Sequence, residues 1–282
     1  MTEWHTVEVD GGSLAYETIG EGPLVLLSPG MADTRATYRF LAPLLADAGY
    51  RALSVDLRGH GQSSTGWSSY DRTDTAADLS QVIRALDLGP AAIVGQSFSG
   101  GSATIAAAMY PDLVAAIVEI GPFTRPPKFS VGAFLRNDHN YRTGALLLGG
   151  FALSGKVETW VKYLDVAYPG RKPSDWDTWL GSLQTSLREP GRIEAARGML
   201  KSKPVDAGEQ LANVSCPTLI LMGTADSDFA DPEAEAAAIV ALLPEGLGTY
   251  RMIDAAGHYP HAQYPDDVAA AIVAFLAQHH HA

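Results

Sequence analysis

Ser97, the central residue of the segment 95–99, is the clearest candidate for a catalytic side chain in this sequence. A short apolar run over residues 91–94 precedes the segment, and an alanine-rich helical pattern follows it as far as Met109. A strand, a sharp turn and a helix in that order hold the central serine in a strained conformation above the helix N-terminus, with its hydroxyl exposed. The pattern therefore predicts that Ser97 acts as a nucleophile.

A serine hydroxyl is a weak nucleophile near neutral pH, so it needs an imidazole that takes its proton. His258 is the candidate, because it follows the apolar run 249–253 through the small residues 255–257, which allow a loop to turn back over the sheet edge. His261 is the alternative, and we expect it at the rim of the site or on the following helix.

The imidazole in turn needs a carboxylate that fixes its tautomer and stabilises its protonated form. Asp226, Asp228 and Asp231 lie in the loop after the apolar run 218–222, and Glu119 lies at the end of another run. Asp231 precedes a proline and a glutamate, which is typical of an N-cap with proline at the first helical position. Spacing alone leaves the choice of acid open.

Composition narrows the classes of partner and cofactor. The 282 residues include 20 Lys or Arg and 32 Asp or Glu, and the formal charge of -12 would repel nucleic acids and anionic membranes. We therefore expect a neutral or weakly polar small-molecule substrate. The sequence has no nucleotide-binding loop pattern and no paired metal-ligand spacing, so we expect neither a cofactor nor a metal. With no signal-peptide pattern and no stretch of eighteen apolar residues, we expect a cytoplasmic protein.

The hydrophobic pattern alternates between strands and helices. An N-terminal hairpin is predicted over 4–9 and 13–18, and buried strands over 24–27, 52–55, 91–94, 114–120, 218–222 and 249–253. Helices are predicted over 34–48, 73–86, 98–110, 232–243 and 265–277. This order predicts an α/β fold with a mostly parallel sheet flanked by helices. The alternation stops in an aromatic-rich helical stretch that begins near Pro126-Pro127 and ends near Pro204. We interpret residues 123–208 as an inserted helical cap, with 1–122 and 209–282 as the core domain.

Four segments resemble the α/β-hydrolase superfamily in chain order: 95–99, 55–63, 223–226 and 257–258. The superfamily order is Ser, Asp, His, so the resemblance implies that Ser97, Asp226 and His258 form a catalytic triad. It also implies that His60 lies in a structural turn. The serine turn departs from the family at Ser99, where glycine is usual, but serine is also small.

Two backbone N–H groups are expected to bind the negative oxygen of a tetrahedral intermediate. Phe98 follows the nucleophile and begins the helix, so its N–H is one donor. The second should come from the loop after residue 27, where the family's usual His-Gly pair corresponds to Pro29-Gly30. Proline has no N–H, and the alignment favours Met31, with Gly30 and Ala32 as alternatives.

These residues together predict a cofactor-independent serine hydrolase that cleaves carboxylic esters of small to medium apolar substrates through an acyl-enzyme. Carbon–carbon bond hydrolysis of a diketone and cofactor-free perhydrolysis are alternatives with the same nucleophile. A small-molecule receptor that retains a hydrolase triad is an alternative of another class. We expect a monomer or homodimer whose cap encloses an apolar pocket.

Overall fold

The computed structural model describes residues 4–126 and 128–280. Pro127, which the sequence places at the entry to the cap, lies outside these ranges, as does His281 in the terminal histidine run. The described residues form one eight-stranded sheet in the order β1-β2-β4-β3-β5-β6-β7-β8. The strands are β1 His5–Val9, β2 Gly12–Ile19, β3 Leu24–Ser28, β4 Arg51–Val55, β5 Ala91–Gln96, β6 Val114–Ile120, β7 Thr218–Gly223 and β8 Gly248–Ile253.

The first two strands form the predicted antiparallel hairpin, and β2 also pairs antiparallel with β4. All pairs from β4 to β8 are parallel. Strands β3 and β5 are buried along their whole length, because helices cover both faces of a parallel sheet. The predicted α/β-hydrolase fold is therefore confirmed.

The helices of the described residues are α1 Leu41–Asp47, α2 Arg72–Leu86, α3 Phe98–Met109, α4 Val131–Arg136, α5 Tyr141–Ser154, α6 Val157–Ala167, α7 Trp176–Leu187, α8 Arg192–Lys201, α9 Val205–Gln210, α10 Pro232–Val240, α11 Pro260–Gln263 and α12 Pro265–His279. Helices α1 and α12 pack on one face of the sheet, and α2, α3 and α10 pack on the other. No helix in the described ranges is long and apolar enough to cross a membrane.

The first helix is shorter than the sequence pattern suggested. Instead of one helix over 34–48, a 3₁₀ turn at Arg35–Tyr38 precedes α1. Pro43 explains the break, because a proline ring clashes with the carbonyl four residues earlier, here that of Arg39, and its nitrogen has no proton to donate. The α-helix therefore begins at Leu41.

Helices α4 to α9 all lie between β6 and β7, and we call this segment the helical insertion. Aromatic side chains of the insertion pack in one apolar cluster, with Trp160 stacked on Tyr163 at 4.7 Å between ring centroids. The cluster also takes in Tyr259 from the chain after β8, which stacks on Tyr168 at 4.5 Å. At the other end of the insertion, Ala207 of α9 packs into the core beside the sheet. The insertion thus packs against the C-terminal part of the chain around residue 259.

Candidate active site

Ser97 lies at the tip of the turn between β5 and α3. Its backbone is strained, with φ 54° and ψ -113°, and a non-glycine residue with positive φ costs on the order of 1–3 kcal/mol. The Ser97 N–H donates to the Ile120 carbonyl at 2.8 Å, which fixes the turn to β6. Gly95 is required here, since a Cβ atom on it would lie 2.3 Å from the Ser99 carbonyl oxygen.

The hydroxyl of Ser99 has a definite function in this turn. It donates to the Pro29 carbonyl and accepts a hydrogen bond from the Ser28 hydroxyl at 2.9 Å. Ser99 therefore joins α3 to the loop after β3, which holds the candidate oxyanion donor Met31. Small size alone suggested that this serine merely replaces glycine, and its hydrogen bonds were not evident from the sequence.

His258 and Asp226 meet at the carboxyl end of the sheet. The Nδ1 atom of His258 lies 2.9 Å from Oδ2 of Asp226, and both side chains are buried. The turn after β6 comes close to both, because a Cβ atom on Gly121 would lie 3.1 Å from Nδ1 of His258 and 3.2 Å from Oδ2 of Asp226. Of the three loop aspartates, Asp226 is therefore the one that can orient the imidazole through Nδ1.

The loop that carries His258 is held in place by hydrogen bonds from its backbone to other segments of the chain. The His258 N–H donates to the Ala167 carbonyl at the end of α6, and Nε2 of Gln96 donates to the His258 carbonyl at 3.1 Å. Oε1 of Gln263 accepts from the Gly257 N–H at 2.7 Å. Sequence reasoning did not single out Gln96 or Gln263 for this purpose. The role of an amide side chain cannot be predicted from the sequence when its hydrogen-bond partner lies in a distant loop.

Asp228 occupies the other side of the imidazole. Its Oδ2 lies 3.5 Å from Nε2 of His258 and accepts a hydrogen bond from the Tyr163 hydroxyl at 2.7 Å. Burial opposes the charge on His258, but the carboxylates of Asp226 and Asp228 outweigh it and raise the pKa of His258 to about 9. Burial raises the pKa of Asp228, and His258 partly offsets that rise. Two carboxylates therefore stabilise the imidazolium form.

Three candidate N–H groups, those of Phe98, Met31 and Gly30, remain available to an oxyanion near Ser97 among the described residues. Phe98 is the first residue of α3, where N–H groups have no partner within the helix. The Ala32 N–H is already engaged, because it donates to Nε2 of His60 at 3.0 Å. Met31 lines the cavity beside Ser97. Its N–H has no hydrogen bond to any part of the chain that the structure describes.

The remaining sequence candidates lie elsewhere. The Asp231 side chain accepts from the Ala234 N–H and caps α10. Glu119 is enclosed in the sheet layer, where the Thr104 hydroxyl donates to it. His261 is fully buried on α11 rather than at the rim, with Nε2 3.0 Å from the Thr37 hydroxyl. His60 is also buried, its Nδ1 2.9 Å from the Arg58 carbonyl, and burial lowers its pKa to about 4.

A cavity of about 220 Å³ opens beside Ser97 and His258. This volume is below the ~300–1,000 Å³ of drug-sized sites, which favours a small ligand. Its lining is mainly apolar and comes from both the sheet layer and the insertion, including Met31, Phe98, Phe123, Leu148, Trp160 and Met199. Its polar side chains include those of Ser97, His258, Arg72, Ser202, Tyr163 and Asp228.

The two aspartates beside His258, Asp226 and Asp228, could also bind a metal ion together with it. Among the described residues, Asp226, Asp228 and His258 have possible ligand atoms within 4.8 Å of one another. However, Nδ1 of His258 is engaged by Asp226 and Oδ2 of Asp228 by Tyr163. These contacts form a hydrogen-bonded network around one imidazole, so the absence of a metal stays our prediction.

The sequence also matches a family of known proteins. The model of the α/β hydrolase family matches residues 24–271. The 2-(acetamidomethylene)succinate hydrolase of Mesorhizobium japonicum is 29% identical over 278 residues, with 96% of this chain and 94% of that protein covered. Epoxide hydrolase A of Mycobacterium tuberculosis is 25% identical, with 96% of each chain covered.

A similar solved structure supports the same fold. The thermophilic esterase from Thermogutta terrifontis superposes with a TM-score of 0.75 at 24% identity, over 98% of this chain and 99% of that one. Since the family model spans the sheet from β3 onward, together with the helical insertion and the first part of α12, the chain belongs to the α/β-hydrolase family, a superfamily of hydrolytic enzymes.

Proposed function

We propose that this protein is a serine hydrolase that cleaves carboxylic esters of small to medium apolar substrates without a cofactor. The observation that carries the proposal is the strained position of Ser97 on the wall of an apolar cavity, beside the His258–Asp226 pair. Serine in this position suits attack on an acyl carbon. The cavity has apolar walls for an acyl or alkoxy group.

The reaction would proceed in two acyl-transfer steps. The Ser97 hydroxyl attacks the ester carbonyl as its proton passes to Nε2 of His258, and the oxyanion accepts hydrogen bonds from Phe98 and Met31. Collapse of this intermediate expels the alcohol, which takes the proton from Nε2. Water then attacks the acyl-enzyme with His258 as base and releases the carboxylic acid and free Ser97.

The ligand-free geometry requires one adjustment before the first step. Nε2 of His258 is close to Asp228, and among the described residues no hydrogen bond joins it to Ser97. Catalytic hydrogen bonds are often long in ligand-free enzymes and shorten when substrate binds. We infer that substrate entry shifts Nε2 from Asp228 toward Ser97.

We also infer that residues 123–208 act as a lid. Trp160, Tyr163 and Met199 of this segment line the cavity, although Trp160 and Tyr163 also pack in the aromatic cluster of the insertion. A lid that excludes water would protect the acyl-enzyme until release. Chain-length selectivity should then depend on these side chains.

Turnover of p-nitrophenyl esters tests the proposal. We expect Ser97→Ala to lose about 10⁶-fold in kcat and to lose labelling by a fluorophosphonate, while it stays folded. Ser182→Ala, at an exposed serine on α7, is the matched control and should keep both. Fluorophosphonate labelling of Ser97→Ala would show that another residue is the nucleophile. Labelling of the unaltered protein without repeated turnover would favour the receptor alternative.

A further inference from the structure

Arg72 is a buried cation at the wall of the cavity that contains Ser97. It is the first residue of α2, only 5% exposed, and lines that cavity. Its guanidinium carbon lies 4.5 Å from the centre of the Phe98 ring, and Phe98 directly follows the nucleophile. Burial lowers the pKa of Arg72 to about 10, so the side chain is still cationic at neutral pH.

The hydrogen bonds of this guanidinium are incomplete. Nη1 donates to the carbonyl and hydroxyl oxygens of Ser202 at 3.0 and 3.1 Å. Nε is buried without a hydrogen-bond partner, and over residues 4–126 and 128–280 no partner of Nη2 is found. Arg72 borders the cavity, and Nη2 is the nitrogen that is neither engaged by Ser202 nor buried like Nε. A guanidinium has five N–H groups, and Ser202 uses only one nitrogen.

No carboxylate of the described residues forms an ion pair with Arg72, although Asp206 and Asp71 favour its charge from farther away. Two other buried arginines differ in this respect. Arg58 donates through Nε and Nη2 to Asp78 at 2.7 and 2.8 Å, and Arg192 pairs with Glu189 at 3.3 Å. A buried charge without such a partner is costly, on the order of several kcal/mol. A carboxylate is the group that best matches a guanidinium.

The other charges of the cavity do not supply that carboxylate. Asp228 is 3.5 Å from His258, and the two charges face each other. Arg72 is thus the cation of this cavity that lacks a close carboxylate among the described residues. The cavity that Arg72 and Ser97 both border has a mainly apolar wall, formed by side chains such as Phe98, Phe123 and Met199.

We propose that Arg72 forms a carboxylate subsite, and that the preferred substrate is an ester whose acyl arm is short and apolar and ends in a carboxylate. This proposal rests on the proposed esterase function for the reacting end of the substrate. In the complex, Nη2 of Arg72 donates to the distal carboxylate while Ser97 reaches the ester carbonyl. The small cavity limits the arm to a few carbons.

Mono-4-nitrophenyl glutarate and its terminal carboxamide are the paired substrates that test this subsite. After subtraction of the rate with Ser97→Ala, we expect kcat/KM of the unaltered protein to be about 10- to 100-fold higher for the carboxylate, as for one charged hydrogen bond. Arg72→Met should reduce this ratio to about one, and Arg72→Lys should keep part of it. Lys203→Met removes an exposed cation of the same segment and should keep the ratio. A ratio of one or less in the unaltered protein overturns the proposal.

Binding separates this subsite from the esterase function. In the Ser97→Ala protein, glutarate should raise Tm more than glutaramide does, and the additional Arg72→Lys change should reduce that difference. If no ester is turned over but this Arg72-dependent effect of glutarate is seen, the esterase proposal fails and the subsite stands. If glutarate and glutaramide raise Tm equally, the subsite is wrong whichever ester is cleaved.

Discussion

At the scale of single residues, Ser99 is where the structure adds most to the family pattern. Its hydroxyl holds the Pro29 carbonyl and so fixes the loop that carries Met31. Ser99→Ala removes this hydroxyl and should lower kcat by about tenfold with KM little changed, because an oxyanion donor acts mainly in the transition state. Steady-state kinetics on one p-nitrophenyl ester would measure the split. An increase in KM alone would mean that Ser99 affects substrate binding instead.

Asp226 should be essential for the tautomer of His258. An asparagine in its place can present an N–H to Nδ1 and favour the wrong tautomer, so Asp226→Asn should lower kcat by about 10⁴-fold. The protein should still be folded, as judged by its circular dichroism spectrum. If Asp228→Asn is the more damaging of the two changes, the acid has been assigned to the wrong residue.

Asp228 should instead move the pH dependence. His258 must be neutral to accept a proton, and the two carboxylates raise its pKa to about 9. Activity should therefore rise with pH up to that region. Asp228→Asn removes one carboxylate, so the acidic limb of kcat/KM should move to lower pH. Asp254→Asn, at an exposed acid, is the matched control. An unchanged limb in Asp228→Asn would show that Asp228 does not act on His258.

At the scale of elements, the sequence patterns of the strands and turns were sufficient to predict the fold. The buried apolar runs and the Gly95–Ser99 contact are local features, so the parallel sheet and the turn at Ser97 could be predicted. The hydrophobic pattern did not show the break before α1, which Pro43 causes in the preceding turn. Spacing alone did not separate Asp226 from Asp228, although the family resemblance favoured Asp226. The hydrogen bond of Asp228 to Tyr163 was not predictable, because α6 brings Tyr163 from 65 positions away.

Gln263 links three segments of backbone near the site. Its Oε1 accepts from Gly257, and its Nε2 donates to the carbonyls of Pro169 and Arg171, so α11 joins the His258 loop to the chain after α6. Gln263→Leu leaves the buried Gly257 N–H unpaired, at a cost of ~1–3 kcal/mol, and releases the two partly exposed carbonyls.

We therefore expect a lower Tm for Gln263→Leu and, because His258 is less well held, a roughly tenfold loss in kcat. Thermal melts and steady-state kinetics measure the two effects. Gln278→Leu changes an exposed glutamine on α12 and is the control. A lower Tm with unchanged kcat would mean that the link stabilises the fold without positioning His258.

At the scale of the whole molecule, one titratable side chain buried beside the sheet, that of Glu119, makes the stability of the protein depend on pH. Glu119 on β6 is fully buried, its Oε2 has no hydrogen-bond partner in the part of the chain that the structure describes, and burial raises its pKa to about 8. The sequence showed an acid at the end of a strand but could not show this environment, which depends on α3 packing over β6. Between pH 4.5 and about 8 the folded state holds a proton on Glu119 that the unfolded state has released.

Stability should therefore fall as pH rises through that window, because the folded state binds more protons than the unfolded state. The glutamine in Glu119→Gln can still accept a hydrogen bond from Thr104, but it does not titrate. The free energy of unfolding of this variant minus that of the unaltered protein should therefore increase from pH 4.5 to about 8 and then level off. One pKa unit corresponds to ~1.4 kcal/mol, so the change should reach a few kcal/mol. Urea unfolding at several pH values measures it, with exposed Glu245→Gln as control. A difference that does not vary with pH would mean that Glu119 is ionised in the folded protein.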